Sequence, residues 1–283
     1  MPRGYAQPEV LVDTDWLGDH LQDPAVRVIE ISEDVTLYGQ GHIPGAAHIN
    51  WQTQLQDRVR RDWISREQFE NLLGSYGIDN ASTLVLYGDK NNWFAAYTFW
   101  LCKMFGVDRV RILNGGRAKW IAEGRPMATD APVYPRALFR AKTPDLSVRA
   151  FRDQVQARIE APGVALVDVR SPQEFSGELI AMPAYPQEGA QRGGHIPGAR
   201  NIPWGQNVRE DGTFKEADDL RRLYESRGVH PDNEVIAYCR IGERSSLTWF
   251  TLTYLLGYPR VRNYDGSWTE WGSLVGAPVE KTA

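Results

Sequence analysis

The sequence predicts an α/β protein of two tandem domains, each a mostly parallel sheet flanked by helices. Three observations carry this. The chain has 283 residues, long for one compact domain and comfortable for two. It is also written twice. Gly41-His-Ile-Pro-Gly-Ala46 recurs as Gly194-His-Ile-Pro-Gly-Ala199. An ungapped stretch from Gly88 to Trp120 matches Cys239 to Trp271 through pairs such as Phe99/Phe250, Arg109/Arg260, Gly115/Gly266 and Trp120/Trp271. So long a period reads as a duplicated domain rather than a solenoid. Third, short apolar runs alternate with helix-period stretches in both halves, as parallel strands joined by helices require.

The first domain is placed at 8–124. Its strands are expected at Arg27 to Ile31, Leu84 to Tyr87 and Val110 to Leu113, with a helix from Ala95 to Phe105. A segment at 125–146, with Pro126, Pro132, Pro135 and Pro144 and no helical period, reads as an extended linker. The second domain, 147–282, opens its sheet with the buried run Val164 to Asp168. A charged helix follows at Glu216 to Arg227, then a second buried strand at Glu234 to Tyr238. An apolar helix at Ser246 to Leu256 leads to a third strand, Arg260 to Tyr264, which ends in the Asp265-Gly266 turn.

Composition narrows the function. Hydrophobic residues make up 42% and charged residues 24%, so the chain is neither disordered nor a disulfide-stapled miniprotein. A formal net charge of −4 argues for no nucleic acid and no membrane as partner. No run approaches the length of a bilayer span, and residues 1–10 lack a signal-peptide core, so a cytoplasmic location is expected. Cys102 and Cys239 are the only cysteines, which suits a reducing compartment. The five histidines never fall at metal-ligand spacing, so neither metal nor cofactor is expected.

The chemistry is expected in Tyr238-Cys-Arg-Ile-Gly-Glu-Arg-Ser245. This loop joins a buried strand to a helix, at the carboxyl end of a parallel strand where open α/β sheets bind ligands. Backbone amides at a helix N-terminus, with Arg240 and Arg244 in the same loop, are expected to lower the Cys239 pKa and make it a thiolate nucleophile. Gly242 lets the backbone curl into an anion nest with Ile241, Glu243 and Ser245. An acid beside a thiolate would raise its pKa, so Glu243 is expected to point outward. Arg170, just past a strand end, is a candidate anion ligand. Cys102 sits in the apolar helical stretch Phe99 to Phe105 and reads as core. The duplication supplies a control: Gly88 occupies the position of Cys239 in the first half, which lacks both nucleophile and arginines. His42 and His195 occur in both copies and read as structural, and Trp268 and Trp271 as packing of the cleft floor.

Together these features resemble the tandem-domain rhodanese family of thiosulfate sulfurtransferases. The Gly-His-Ile-Pro-Gly-Ala blocks, Val-Asp-x-Arg at 167–170, the Cys239 to Ser245 loop and Tyr264-Asp-Gly-Ser-Trp-x-Glu-Trp271 stand in the family's order over nearly the whole chain. The resemblance implies an inert N-terminal domain, a catalytic C-terminal one, a site between them and a persulfide on Cys239. It also implies that the 240–244 amides cradle the outer sulfur and that Arg170 binds the substrate anion. The cation that some animal members carry two places after the cysteine is here Ile241; Arg244 could substitute for it.

A 3-mercaptopyruvate sulfurtransferase is the nearest alternative, but such members favour a small, weakly charged loop. Two arginines suit the thiosulfate dianion better. A cysteine phosphatase needs five residues between cysteine and arginine, whereas Cys239 and Arg244 have four between them. A non-catalytic or protein-directed sulfur-relay module is the remaining alternative, with the insertion Ser176 to Arg192 as a docking loop. The expected partners are a small-molecule sulfur donor and acceptor, on a monomer.

Overall fold

The computed structural model describes residues 4–185 and 188–282. One compact unit comprises Glu9–Asp145 together with Val208–Phe214. Its strands are β1 (Leu11–Val12), β2 (Val26–Glu30), β3 (Ala47–His48), the hairpin β4 (Gln56–Asp57) and β5 (Asp62–Trp63), β6 (Thr83–Tyr87) and β7 (Val110–Leu113). Five of them form one parallel sheet in the order β1-β7-β6-β2-β3. The other unit holds residues 4–8, 146–207 and 215 onward. There β8 (Val164–Asp168), β9 (Arg200–Asn201), β10 (Glu234–Tyr238) and β11 (Val261–Tyr264) form a second parallel sheet, in the order β11-β10-β8-β9.

β10 is the strand that positions the site. Val235 to Tyr238 are all buried, with no polar alternation, as expected of a strand flanked on both sides by parallel partners, β11 and β8. The expected apolar helix after it begins three residues earlier, at Glu243, and passes into a π-helical turn at Thr251–Leu255.

The halves repeat in space as they do in sequence. His42 and Ala128 exchange two backbone hydrogen bonds of 2.8 Å, and His195 and Glu280 do the same at 2.9 and 3.0 Å. Trp120 Nε1 donates to Pro126 O and Trp271 Nε1 to Pro278 O, each at 2.9 Å. Each unit therefore clamps its own trailing segment with the same two devices. The histidine rings serve that clamp. His42 stacks on Tyr38 and meets its carbonyl; His195 stacks on Phe175 and meets its carbonyl at 2.8 Å. Trp268 and Trp271 lie in the hydrophobic core with Leu166, Ile196 and Ile236.

The 125–146 segment is extended, yet it packs along the first unit instead of hanging free. Its amides at Ala137 and Lys142 reach Gly74 O and Phe105 O, at 3.0 and 2.9 Å, and Phe139 is buried. Those carbonyls end the helices Arg66–Ser75 and Trp93–Met104, where intrahelical donors run out. The extended chain supplies the donor to Phe105 O and a second one to Gly74 O, which also accepts from Gly77 N–H at 3.1 Å.

Candidate active site

Cys239 follows β10, and Gly242 caps the helix Glu243–Phe250 with φ at +103°. The glycine is required twice over. The left-handed backbone disfavours any side chain, and a Cβ there would lie 2.7 Å from Asp265 Cβ. This curl aims the Gly242 N–H at Cys239 Sγ, 3.1 Å away. Ser245 Oγ lies 3.5 Å from the same sulfur and donates to Asn263 Oδ1 at 2.6 Å. Ile241 is buried and contributes its backbone.

The Tyr264–Trp271 segment pins the loop from below. Cys239 N–H donates to Ser267 Oγ at 3.0 Å, while the amides of Trp268 and Thr269 donate to Cys239 O and Arg240 O at 3.0 and 3.1 Å. Ser267 adopts a left-handed φ of +52° to make this contact, a strained conformation for a residue with a side chain.

Glu243 points inward, contrary to the sequence expectation. It is 1% exposed, and its Oε2 lies 3.2 Å from Cys239 Sγ and accepts the Ile241 N–H at 3.3 Å. Oε1 takes Arg240 Nη2 at 3.0 Å, and Arg244 Nε stands 3.6 Å away. Burial favours the neutral acid, but these two guanidiniums outweigh it and hold Glu243 below the usual carboxylate range. The Cys239 thiol moves the other way. Burial first and Glu243 second push it above its ordinary value, against the pull of Arg244. The shift runs opposite to the lowering expected from the loop arginines, and Cys239 Sγ stands within hydrogen-bond reach of a carboxylate.

The reason lies in how the arginines are used. Arg244 makes a two-pronged pair with Glu174, Nη1–Oε2 at 2.9 Å and Nη2–Oε1 at 3.0 Å, both residues buried. Arg240 pairs with Glu188 at 2.9 Å as well as with Glu243, and lies over the Tyr185 ring. Two cations therefore face three carboxylates around Cys239. Glu188 and Tyr185 come from the 176–192 insertion, of which Pro186 and Gln187 lie outside the described residues. The insertion reaches the reactive loop, a role that sequence reasoning missed.

Glu174 was legible in principle, since Ser171-Pro-Gln-Glu174 is a capping-box pattern and both of its hydrogen bonds form. Burial raises its pKa, but the Arg244 fork wins and brings it to about 2. A folded-state pKa below the unfolded value means stabilisation that is complete above the unfolded pKa and lost as pH falls towards 2. Glu174→Gln leaves Arg244 buried without its two-pronged carboxylate partner, so we expect a loss of roughly 3–5 kcal/mol at pH 7. The gap in denaturation midpoint between wild type and variant should shrink as the pH is lowered from 5 to 3.

Arg170 is paired outside the reactive loop, with its Nη1 buried and without a hydrogen-bond partner among the described residues. Its guanidinium binds Asp168 through Nε–Oδ1 at 3.0 Å and Nη2–Oδ2 at 2.6 Å, donates to Gly194 O at 2.7 Å, and lies 4.5 Å from the Trp268 ring centre. None of these partners belongs to the 239–245 loop. The first half shows why. Glu30, at the position of Asp168, is equally buried and is neutralised by Arg117 at 2.9 Å. Each unit buries one carboxylate at the end of a central strand and brings one arginine to it, from different places in the chain. The two units differ here in sequence, Asp168-Val-Arg170 against Glu30-Ile-Ser32, but not in this structural requirement.

The first half does not accommodate a cysteine at the matching position without backbone movement. A Cβ on Gly88 would sit 2.2 Å from Ile31 O, closer than any side chain tolerates. Gly88→Cys is expected to destabilise the protein by about 2 kcal/mol or more through backbone displacement. Thermal unfolding would reveal the loss, and mass analysis after exposure to a sulfur donor should find no second modified cysteine.

Comparison with known proteins agrees with this architecture. The model of the rhodanese-like domain matches residues 13–123 and again 151–274. The sulfur carrier protein TtuD of Thermus thermophilus is 59% identical over 98% of this chain and 99% of its own length. A Haloferax volcanii protein, provisionally named a thiosulfate sulfurtransferase, is 54% identical over 98% of both chains. Among solved structures, a persulfide form of EanB in a tetrahedral intermediate state with ergothioneine superposes with a TM-score of 0.86 at 25% identity. That match covers 99% of this chain and 72% of that one.

Proposed function

The chain belongs to the rhodanese-like family, and from that premise we propose that it is a sulfurtransferase carrying sulfur on Cys239 as a persulfide, with thiosulfate as donor. The observation that carries this reading is the Gly242 N–H held 3.1 Å from Cys239 Sγ at a helix N-terminus, a site built to hold an anionic sulfur. Cys239 sulfur attacks the outer sulfur of thiosulfate, the sulfur–sulfur bond breaks, and sulfite leaves with the electron pair. A thiophilic acceptor, cyanide or a thiol, then takes the outer sulfur. Two half-reactions through one covalent form give ping-pong kinetics, read as parallel double-reciprocal lines.

The choice of donor rests on the relatives rather than on loop charge, because both arginines are already bound to carboxylates. A second reading, delivery of the sulfur to a protein acceptor, is favoured by the 59% identical relative named as a sulfur carrier. A cytoplasmic location belongs to the same proposal, and the free state of both cysteines suits it.

Turnover with thiosulfate and with 3-mercaptopyruvate, cyanide being the acceptor, tests the proposal. We expect faster turnover with thiosulfate and a mass gain of one sulfur atom on the donor-treated protein. Turnover with mercaptopyruvate alone would keep the persulfide and replace the donor. Silence with both, without any mass gain, would overturn the function.

A further inference from the structure

In the resting site the anion in the nest is a carboxylate. Glu243 Oε2 takes the Ile241 N–H and stands 3.2 Å from Cys239 Sγ, inside hydrogen-bond reach of the thiol. Reach comes first in identifying a proton acceptor, and this group touches the reacting atom itself. We propose that Glu243 is the general base and then the general acid of the sulfur-transfer cycle, exchanging one proton with Cys239. The inference rests on the persulfide reading above.

The step balances. As Sγ bonds to the outer sulfur of thiosulfate, the thiol proton passes to Glu243 Oε2, and the breaking sulfur–sulfur bond releases its electron pair with sulfite. The enzyme is left as a persulfide anion beside a neutral carboxylic acid. When the acceptor attacks the outer sulfur, the bond to Sγ breaks and the cysteine thiolate recovers the proton from Glu243. No proton is consumed over the cycle.

The same sum of charge thus faces Arg240 and Arg244 throughout. One negative charge moves from the carboxylate to the outer sulfur and back, so neither half-reaction leaves a buried charge uncompensated. The surrounding groups are consistent with this shuttle. Glu174 is held by Arg244, Glu188 by Arg240, and Asp265, which packs on Gly242, by Arg149 at 2.7 and 2.8 Å. Each of these carboxylates is paired with a cation, Arg240 being shared with Glu243, and Glu243 alone contacts the sulfur among the described acids. Without such a base, a buried thiol whose pKa is raised would supply little thiolate at neutral pH.

The test is the pH dependence of single-turnover sulfite release from thiosulfate, which remains a dianion throughout, between about pH 5.5 and 8.5. Wild type, reacting as the carboxylate–thiol pair, is expected to vary less than about threefold over this range. Glu243→Gln, reacting only as free thiolate, should rise about tenfold per pH unit until its own thiol titrates. Parallel profiles for the two proteins would overturn the proposal. So that the answer does not depend on the variant folding, the wild-type infrared difference spectrum, thiosulfate-loaded minus resting, gives a second reading. It should lose a thiol S–H band and gain a carboxylic-acid carbonyl band that shifts in heavy water. Persulfide formation without that carbonyl band would sink the shuttle and leave the function intact. Failure of the wild type to form a persulfide would instead bring down the function on which it rests.

Discussion

Cys239→Ser will reduce sulfur transfer by about 10⁴-fold or more, because a serine hydroxyl in this nest is neither acidic enough nor nucleophilic enough towards sulfur. The mass gain of one sulfur should vanish with it. Cys102→Ser is the matched control. That thiol is completely buried within the helix Trp93–Met104, and burial pushes its pKa to about 12, so it has no route to donor or acceptor. Turnover per folded molecule should survive there unchanged. Sulfur found on Cys102, or turnover persisting in Cys239→Ser, would overturn the assignment of the nucleophile.

Arg170→Met is expected to lower stability by roughly 3–5 kcal/mol, since it leaves the Asp168 carboxylate buried and without its cation. The KM for thiosulfate in the protein that remains folded should be unchanged. The double variant Asp168→Asn with Arg170→Met should recover much of the loss, as expected when a whole buried pair is replaced by groups of similar size. Denaturant midpoints of the three variants measure this coupling. A stable Arg170→Met protein with a KM raised tenfold or more would restore the substrate-anion role that the sequence pattern suggested.

The difference between those two readings of Arg170 shows where sequence reasoning stops. Val-Asp-x-Arg places the arginine past a strand end, where ligands are bound, and nothing local distinguishes a ligand arginine from a counter-ion. The equivalent buried carboxylate in the first half draws Arg117 from 87 residues away. Only with both units folded does the common requirement become visible. Glu243 misled for a related reason. An acid next to a nucleophilic cysteine looks unfavourable on its own, and it becomes tenable once Arg240 and Arg244 lie against its oxygens.

Local patterns along the chain were sufficient for the architecture and for placing the Cys239 loop at a strand-to-helix junction. Buried strands announce themselves as unbroken apolar runs, the duplication is written in repeated motifs, and Cys239 stands at a strand-to-helix junction with glycine three residues on. These features depend on neighbours a few residues apart, so periodicity and spacing reveal them. The charge state of the site does not. It is decided by Glu174, 70 residues from Arg244, and by Glu188, carried in on an insertion with no distinctive pattern. Whether Cys239 rests as thiol or thiolate depends on which carboxylates reach its arginines after folding. Electrostatic energy in a buried site is set by distances of a few ångströms, and the fold brings those charges together from positions that no spacing rule connects.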